Sequence, residues 1–426
     1  MRILHFGIGN FHRAHQAWYT QDANRRTGSV WRITSVSLRH PDLRDRLRGV
    51  GFRYTLRILG PDGVRDTAMA VHDDILFAPE DPQAVIACLA EGDTRIVTVT
   101  VTEKGYCLTG AGLDLDHPDI SADLRSGAPR SLVGLLAAGL RARAATGQPL
   151  TVISCDNLPD NSATLKAAIE AFLAAQGHDI LAYLDKSVRF ANTMVDRITP
   201  ATTEALRTTL AEPEPVATEA FSDWVIEDNF ATPIPDWAGS GATITADVAP
   251  YELRKLWLLN GAHSFLAYAG LNAGHALVSD AVGDPALASA MGDLMRAAAA
   301  VLPAGLRQDA EDYIAALLAR FANPNIEHRL AQIAQDGSLK LPVRILAPRR
   351  ARAAAGLDTA AHDRAITEWV RFLRAAHVAQ APLNDPRGAA LGVAAAQGGA
   401  QGALSDLALG LALLGETGGA GPKAAR

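Results

Sequence analysis

Four polar side chains crowd into one apolar stretch of this chain. YELRKLWLLNGAHSFLAYAG, Tyr251 to Gly270, carries Lys255, Asn260 and His263 in the pattern K-x4-N-x2-H, with Glu252 just ahead. The stretch has no Pro and is mostly Leu, Ala, Trp and Phe, so it reads as a buried helix. At roughly 100° per residue, Asn260 lies about 140°, His263 about 80° and Glu252 about 60° around the axis from Lys255. A lone His in an apolar helix is usually a satisfied core residue. Four polar groups on one arc are costly to bury unless they are paired or used. The natural use of such a Lys is as a proton-transfer base, its free pKa of about 10.4 lowered by a few units.

A second group of residues suits a dinucleotide. Gly7-Ile8-Gly9-Asn10-Phe11 sits between a first strand and a first helix, where a pyrophosphate meets backbone N–H groups. His12 occupies the third Gly position of G-x-G-x-x-G, and a structural Gly turn is the competing reading. After the second strand stands SVSLRHPD, with Arg39 where an NAD site usually has an acid, and Asp42 a little later. Arg39 can accept a 2′-phosphate, stack on adenine or face solvent. Glu103, in TEKGY, follows another strand and is either a reaction-centre residue or a polar strand terminus. Asn157, in SCDNLP, can donate an N–H to a developing alkoxide, or else form an Asx turn ahead of Pro159.

These residues need a framework. Strands are expected at 2–7, 31–38, 95–102 and 150–155, with an extended segment at 54–58 and a turn at 60–63. Helices are expected at 16–24, 81–90 and 131–145. Strands alternating with helices imply a doubly wound parallel sheet of Rossmann type. After Pro250 the expected elements at 251–270, 285–302, 309–320 and 363–376 are all helical. The fold expected is thus α/β, a Rossmann-type domain over 1–245 followed by a mostly helical substrate and catalytic domain over 246–426. A helix is expected at 405–414, and 415–426 reads as a frayed tail.

The site helix resembles the catalytic helix of the polyol-specific long-chain dehydrogenases, the mannitol 2-dehydrogenase family. The resemblance extends through GIGNFHRAHQAWYT (7–20), TVTEKGYC (100–107), SCDNLPDN (154–161), NTMVDRITPATT (192–203), VIEDNF (225–230) and DGSLKLP (336–342), in family order. It implies an alcohol dehydrogenase with Lys255 as general base and Asn157 and Asn260 as oxyanion donors, and because no zinc-ligand spacing stands out, a metal-independent enzyme is expected. His263 would orient the substrate hydroxyl, and Glu252 would route the proton outward. It also implies that Gly7, Gly9, Asn10, Phe11, Glu103 and Asp196 lie at the cofactor, where Arg39 is placed only by its position after the second strand. For Asp196 a local ion pair with Arg197 is the alternative. Lys340 is implied as a substrate contact. Gln332 replaces a family Arg, which leaves Arg329 or Arg344 as candidates for a nearby role, including a sugar-acid carboxylate. NAD is the expected cofactor, with NADP possible. The substrate is a polyol such as D-mannitol, or a sugar acid as in the D-mannonate oxidoreductase (fructuronate reductase) subgroup. A silent cofactor-binding regulator is the rival of another class. A monomer is expected.

Composition narrows the field. Hydrophobic residues are 48% and charged residues 20%, ordinary for a globular enzyme. A net charge of −6 argues against a general nucleic-acid binder. Three scattered Cys, with no C-x2-C pair or zinc spacing, suggest reduced thiols and no zinc centre. No apolar run of about 20 residues and no signal-peptide pattern stand out, so a cytoplasmic protein is expected.

Overall fold

The computed structural model describes residues 1–397 and 402–416. The chain divides into two compact units, Met1–Ala249 and Pro250–Arg426.

The first unit is built on a six-stranded, all-parallel sheet. Its strands are β1 (Arg2–Phe6), β2 (Arg32–Ser37), β3 (His72–Phe77), β4 (Thr94–Val99), β5 (Leu150–Ser154) and β6 (Val188–Ala191). Their order across the sheet is β6-β5-β4-β1-β2-β3. This is the order of two mononucleotide-binding halves meeting at a switch point between β1 and β4. The strands take this form because both faces are buried. Leu4, Phe6, Val97, Val99 and Val152 face one core with Leu135, Leu136 and Phe172. Ile3, Ile33, Ile96 and Ile153 face the other with Tyr19, Trp224 and Trp237. The alternation is the period of two that a strand imposes. Helices Pro82–Ala90 and Leu132–Ala144 pack closely, since a Cβ on Gly139 would stand 2.8 Å from the Leu89 side chain.

Two elements exceed the sequence reading. The extended segment at 54–58 is one arm of a hairpin, Tyr54–Gly60 with Gly63–Met69, joined in parallel by Val216–Glu219. Thr193–Asp196, Asp223–Glu227 and Thr243–Thr245 form a further small sheet. Residues 10–27 hold two helices, Asn10–Ala14 and Gln16–Thr27, so helix begins directly after the glycine loop.

The second unit is helical among its described residues. Its centre is Gly261–Asn272, where every residue from Gly261 to Gly270 is buried. It packs on Ala360–Val378, and Gly270 lies against Leu330 and Ala281. The expectation of one α-helix over 251–270 is corrected. Ala249–Arg254 is α, Lys255–Asn260 is a π-helix, and α geometry resumes at Gly261. A second π segment, Pro342–Leu346, passes close by: a Cβ on Gly261 would stand 3.2 Å from the Arg344 carbonyl oxygen. The helix expected at 405–414 spans Ala403–Leu413. Most of the tail expected to fray, residues 417–426, lies outside the described residues.

Candidate active site

The glycine loop leaves β1 under strict constraint. Gly7 has φ +98°, and a Cβ there would stand 2.0 Å from the Thr100 carbonyl oxygen. Only glycine satisfies both. Gly9 differs: a Cβ would meet nothing within 4 Å. Gly9 also caps the helix Asn10–Ala14 with no side-chain hydrogen bond, leaving N–H groups open at its start. Glycine at position 9 therefore keeps a cradle clear, as a pyrophosphate requires. The Asn10 side chain is committed inside the unit, donating to Pro200 O (3.1 Å) and Thr202 Oγ1 (3.0 Å) and accepting from Arg13 (2.6 Å). Phe11 stacks on His15 at 4.9 Å. The main chain is what these two residues can offer a ligand.

His12 explains the missing third glycine. Its buried ring stacks on His5 of β1 at 3.3 Å and meets His72 Nε2 at 3.1 Å. A flat ring thus fills the helix–strand gap that glycine otherwise closes. His5 is tied to Thr98 Oγ1 (2.7 Å), Thr100 Oγ1 (2.9 Å) and the Gly7 carbonyl oxygen (3.0 Å). Burial lowers His5 and His72 to about 3 and His12 well below its ordinary value. The cluster is neutral near pH 7 and braces the loop without adding charge.

At the other end of this half, β2 stops at Ser37 and Arg39 is exposed. The next acid, Asp42, opens the helix Asp42–Arg48. No acid therefore stands directly after β2 to repel a 2′-phosphate. Activity is expected with both cofactors, NAD preferred, and Arg39→Ala should damage NADP use more than NAD use. The check is the ratio of kcat/KM for the two cofactors in wild type and variant. An unmoved ratio would place Arg39 away from the ribose.

The ends of β4 and β5 carry Glu103, exposed in a 3-10 turn (Glu103–Tyr106), and Asn157, also exposed. Asp156, which the sequence reading passed over, is buried between them and accepts hydrogen bonds from Thr102 N (2.7 Å), Val101 N (3.1 Å) and Tyr106 Oη (2.8 Å). Its partners lie some fifty positions away, so no local pattern reveals them. Asp196 is buried at the end of Thr193–Asp196. Arg197 turns elsewhere, to the carbonyl oxygens of Ala14 (2.5 Å) and Glu219 (3.1 Å). The fold also gathers Cys107, His117 and Asp119, whose ligand atoms lie within 4.8 Å of one another, although their spacing matches no zinc motif. There His117 Nδ1 accepts from Asp119 N (3.2 Å), and burial and nearby carboxylates push the Cys107 thiol up to about 11.

In the second unit the π turn changes the geometry of the site. Hydrogen bonds from residue i to i+5 widen the turn, so residues five apart come nearly one above the other. Lys255 and Asn260 are such a pair, and His263 follows three residues into the α segment. All three therefore share one face, closer than α arithmetic allowed. Glu252, half-buried, lies one turn earlier. Burial holds His263 well below its ordinary pKa, with His328, Arg320 and Arg344 acting in the same direction, so its ring is neutral. Two atoms on this face, His263 Nε2 and Asn260 Oδ1, are buried without a hydrogen bond among the described residues.

The 336–346 stretch supplies cations. Lys340 donates to the Gln335 carbonyl oxygen (2.7 Å) and lies 4.0 Å from Asp336. Arg344 is half-buried, donates to Ser264 Oγ (3.3 Å), and meets no carboxylate among the described residues. Gln332 and Arg329 are exposed, so of the two candidate arginines Arg344 is the one whose charge, with that of buried Arg320, reaches His263.

Comparison with known proteins places this geometry. The mannitol dehydrogenase Rossmann domain matches residues 1–239, and the mannitol dehydrogenase C-terminal domain matches residues 247–405. D-Mannonate oxidoreductase of Escherichia coli is 38% identical over 87% of this chain and 79% of its own length. Mannitol 2-dehydrogenase of Phaeosphaeria nodorum is 35% identical over 87% of this chain and 68% of its own length. Among solved structures, Pseudomonas fluorescens mannitol 2-dehydrogenase, a ternary complex with NAD and D-mannitol, superposes with TM-score 0.76 at 34% identity, covering 93% of this chain and 84% of that one. With a Rossmann sheet, a helical second unit and a family match across both, the chain belongs to the mannitol dehydrogenase family.

Proposed function

We propose that this chain is an NAD-dependent dehydrogenase that oxidises a secondary hydroxyl of an open-chain polyol, such as D-mannitol, to the ketose and catalyses the reverse reaction. The observation that carries this reading is the shared face of Lys255, Asn260 and His263, with two of its polar atoms, Asn260 Oδ1 and His263 Nε2, left without a hydrogen bond among the described residues. Buried polar atoms without partners are rare and call for an explanation. Polyol hydroxyls would satisfy both. Lys255 takes the proton of the reacting hydroxyl, and neutral His263 orients that hydroxyl. Asn260 and Asn157 donate amide N–H to the oxygen as negative charge develops. Glu252 relays the proton to solvent, and Lys340 holds a substrate hydroxyl. Bound NAD supplies the hydride acceptor at C4 of its nicotinamide. Gly7, Gly9 and the main chain of Asn10 and Phe11 would hold its pyrophosphate, with Arg39, Glu103 and Asp196 as further cofactor contacts.

Arg344 favours a second reading, a sugar-acid substrate. A guanidinium that meets no carboxylate among the described residues, beside the proposed substrate residues, suits a chain ending in carboxylate. The test is a panel of D-mannitol, D-arabinitol, D-sorbitol and D-mannonate with NAD, read by absorbance of the reduced nicotinamide. Reduction by none of them would contradict the proposal and favour a silent cofactor-binding protein. If the acid is the substrate, Arg344→Met should lower kcat/KM for D-mannonate by about 10- to 100-fold, the worth of a charged hydrogen bond, and leave D-mannitol nearly unchanged. Equal losses on both would remove Arg344 as the carboxylate reader. The chain acts as a cytoplasmic monomer in this proposal. The three free cysteines fit a reducing compartment, and among the described residues no helix is long and apolar enough to cross a membrane.

A further inference from the structure

The segment after β4 is strained at both ends. Thr102 has φ +69° and Cys107 has φ +53°, bracketing the turn Glu103–Tyr106. A β-branched residue at positive φ is a true outlier, and such strain persists only where surrounding contacts impose it. Asp156 imposes it. One carboxylate oxygen accepts from Thr102 N at 2.7 Å, and the other accepts from Val101 N at 3.1 Å and Tyr106 Oη at 2.8 Å. Tyr106 Oη is also 2.6 Å from Ser154 Oγ at the end of β5. Asp156 is itself anchored, since Asn161 Nδ2 donates to its carbonyl oxygen at 3.0 Å and to that of Thr193 at 2.9 Å. The clasp has little slack, because a Cβ on Gly105 would stand 2.7 Å from Val101 Cγ2. Asp156 therefore fastens the loop after β4 to the loop that bears Asn157.

The position of this clasp gives it a purpose. In a sheet of order 3-2-1-4-5-6, ligands bind outside the carboxyl ends of the strands, and each half of the sheet takes one mononucleotide. The glycine loop and Arg39 belong to the β1–β3 half, and the clasp joins the ends of β4 and β5 in the other. We propose that Asp156 is a positioning residue that sets the β4 loop for the nicotinamide half of the cofactor. The inference rests on the cofactor reading above, but not on the identity of the polyol.

The test is the affinity of Asp156→Asn for two probes, NADH and ADP-ribose, which lacks the nicotinamide. The isosteric amide keeps the volume but turns an NH2 toward the backbone donors. NADH Kd is expected to rise about tenfold, while ADP-ribose Kd stays within twofold. A purely structural lesion would weaken both probes together, and that result would overturn the proposal. So would an unchanged NADH Kd. Should this variant fail to fold, Tyr106→Phe removes one of the three donors, and NADH affinity is then expected to fall about threefold with ADP-ribose unmoved. An unchanged NADH-to-ADP-ribose ratio in that variant would also overturn it. If wild-type protein bound neither probe, the cofactor reading itself would fail, an outcome distinct from the other results.

Discussion

Lys255→Ala is expected to lower kcat by about a thousandfold or more while NADH still binds. A positioned general base contributes on the order of 10²–10⁴ in rate. Here the same side chain also belongs to the face proposed to hold the reacting hydroxyl, so losing it should cost at the upper end of that range. The glycine loop lies in the other compact unit, so cofactor affinity should survive. Steady-state kcat and an NADH titration on the same preparation check both parts. Turnover above roughly a tenth of wild type would remove Lys255 as the base.

Gly7→Ala should be nearly as damaging, by a different route. The φ of +98° costs an L-residue on the order of 1–3 kcal/mol. The new methyl would stand 2.0 Å from the Thr100 carbonyl oxygen, so backbone must also move. That movement reaches the His5 brace, which holds both the Gly7 carbonyl oxygen and Thr100 Oγ1. Melting temperature should fall by roughly 5–10 °C, and NADH affinity should drop about a hundredfold. Gly9→Ala separates the two effects. Its Cβ meets only open space, so the protein should melt like wild type yet bind NADH poorly. Equal melting temperatures for Gly7→Ala and wild type would show that this loop tolerates a side chain.

The parts of this molecule legible in its sequence are those with strong local patterns. β1, β4 and β5 are runs of Ile, Val and Leu buried on both faces, and the sheet type follows from their alternation with helices. Lys255, Asn260 and His263 stand out because they interrupt an apolar helix. Their true arrangement does not, since nothing in the periodicity marks the π turn that brings them onto one face. Thr193–Asp196 and Thr243–Thr245 are too short to separate from loop. His12 reads as a broken motif until its stacking on His5 is seen. Asp156 was hidden for a topological reason: Val101, Thr102 and Tyr106 reach it only because β4 and β5 are neighbours. Arg344 was one of two candidate arginines, and burial separates it from exposed Arg329.

The proposed reaction turns on Lys255 accepting a proton, and chemical rescue tests that step. Lys255→Ala, saturated with NAD, would be mixed with the polyol that wild type oxidises fastest, in the presence of a strong chelator and increasing concentrations of a small primary amine. Absorbance of the reduced nicotinamide reports the rate. The expected result is a rate that rises in proportion to the unprotonated amine and ignores the chelator. A rate indifferent to the amine, or one abolished by the chelator and restored by zinc, would contradict a lysine-driven, metal-independent oxidation.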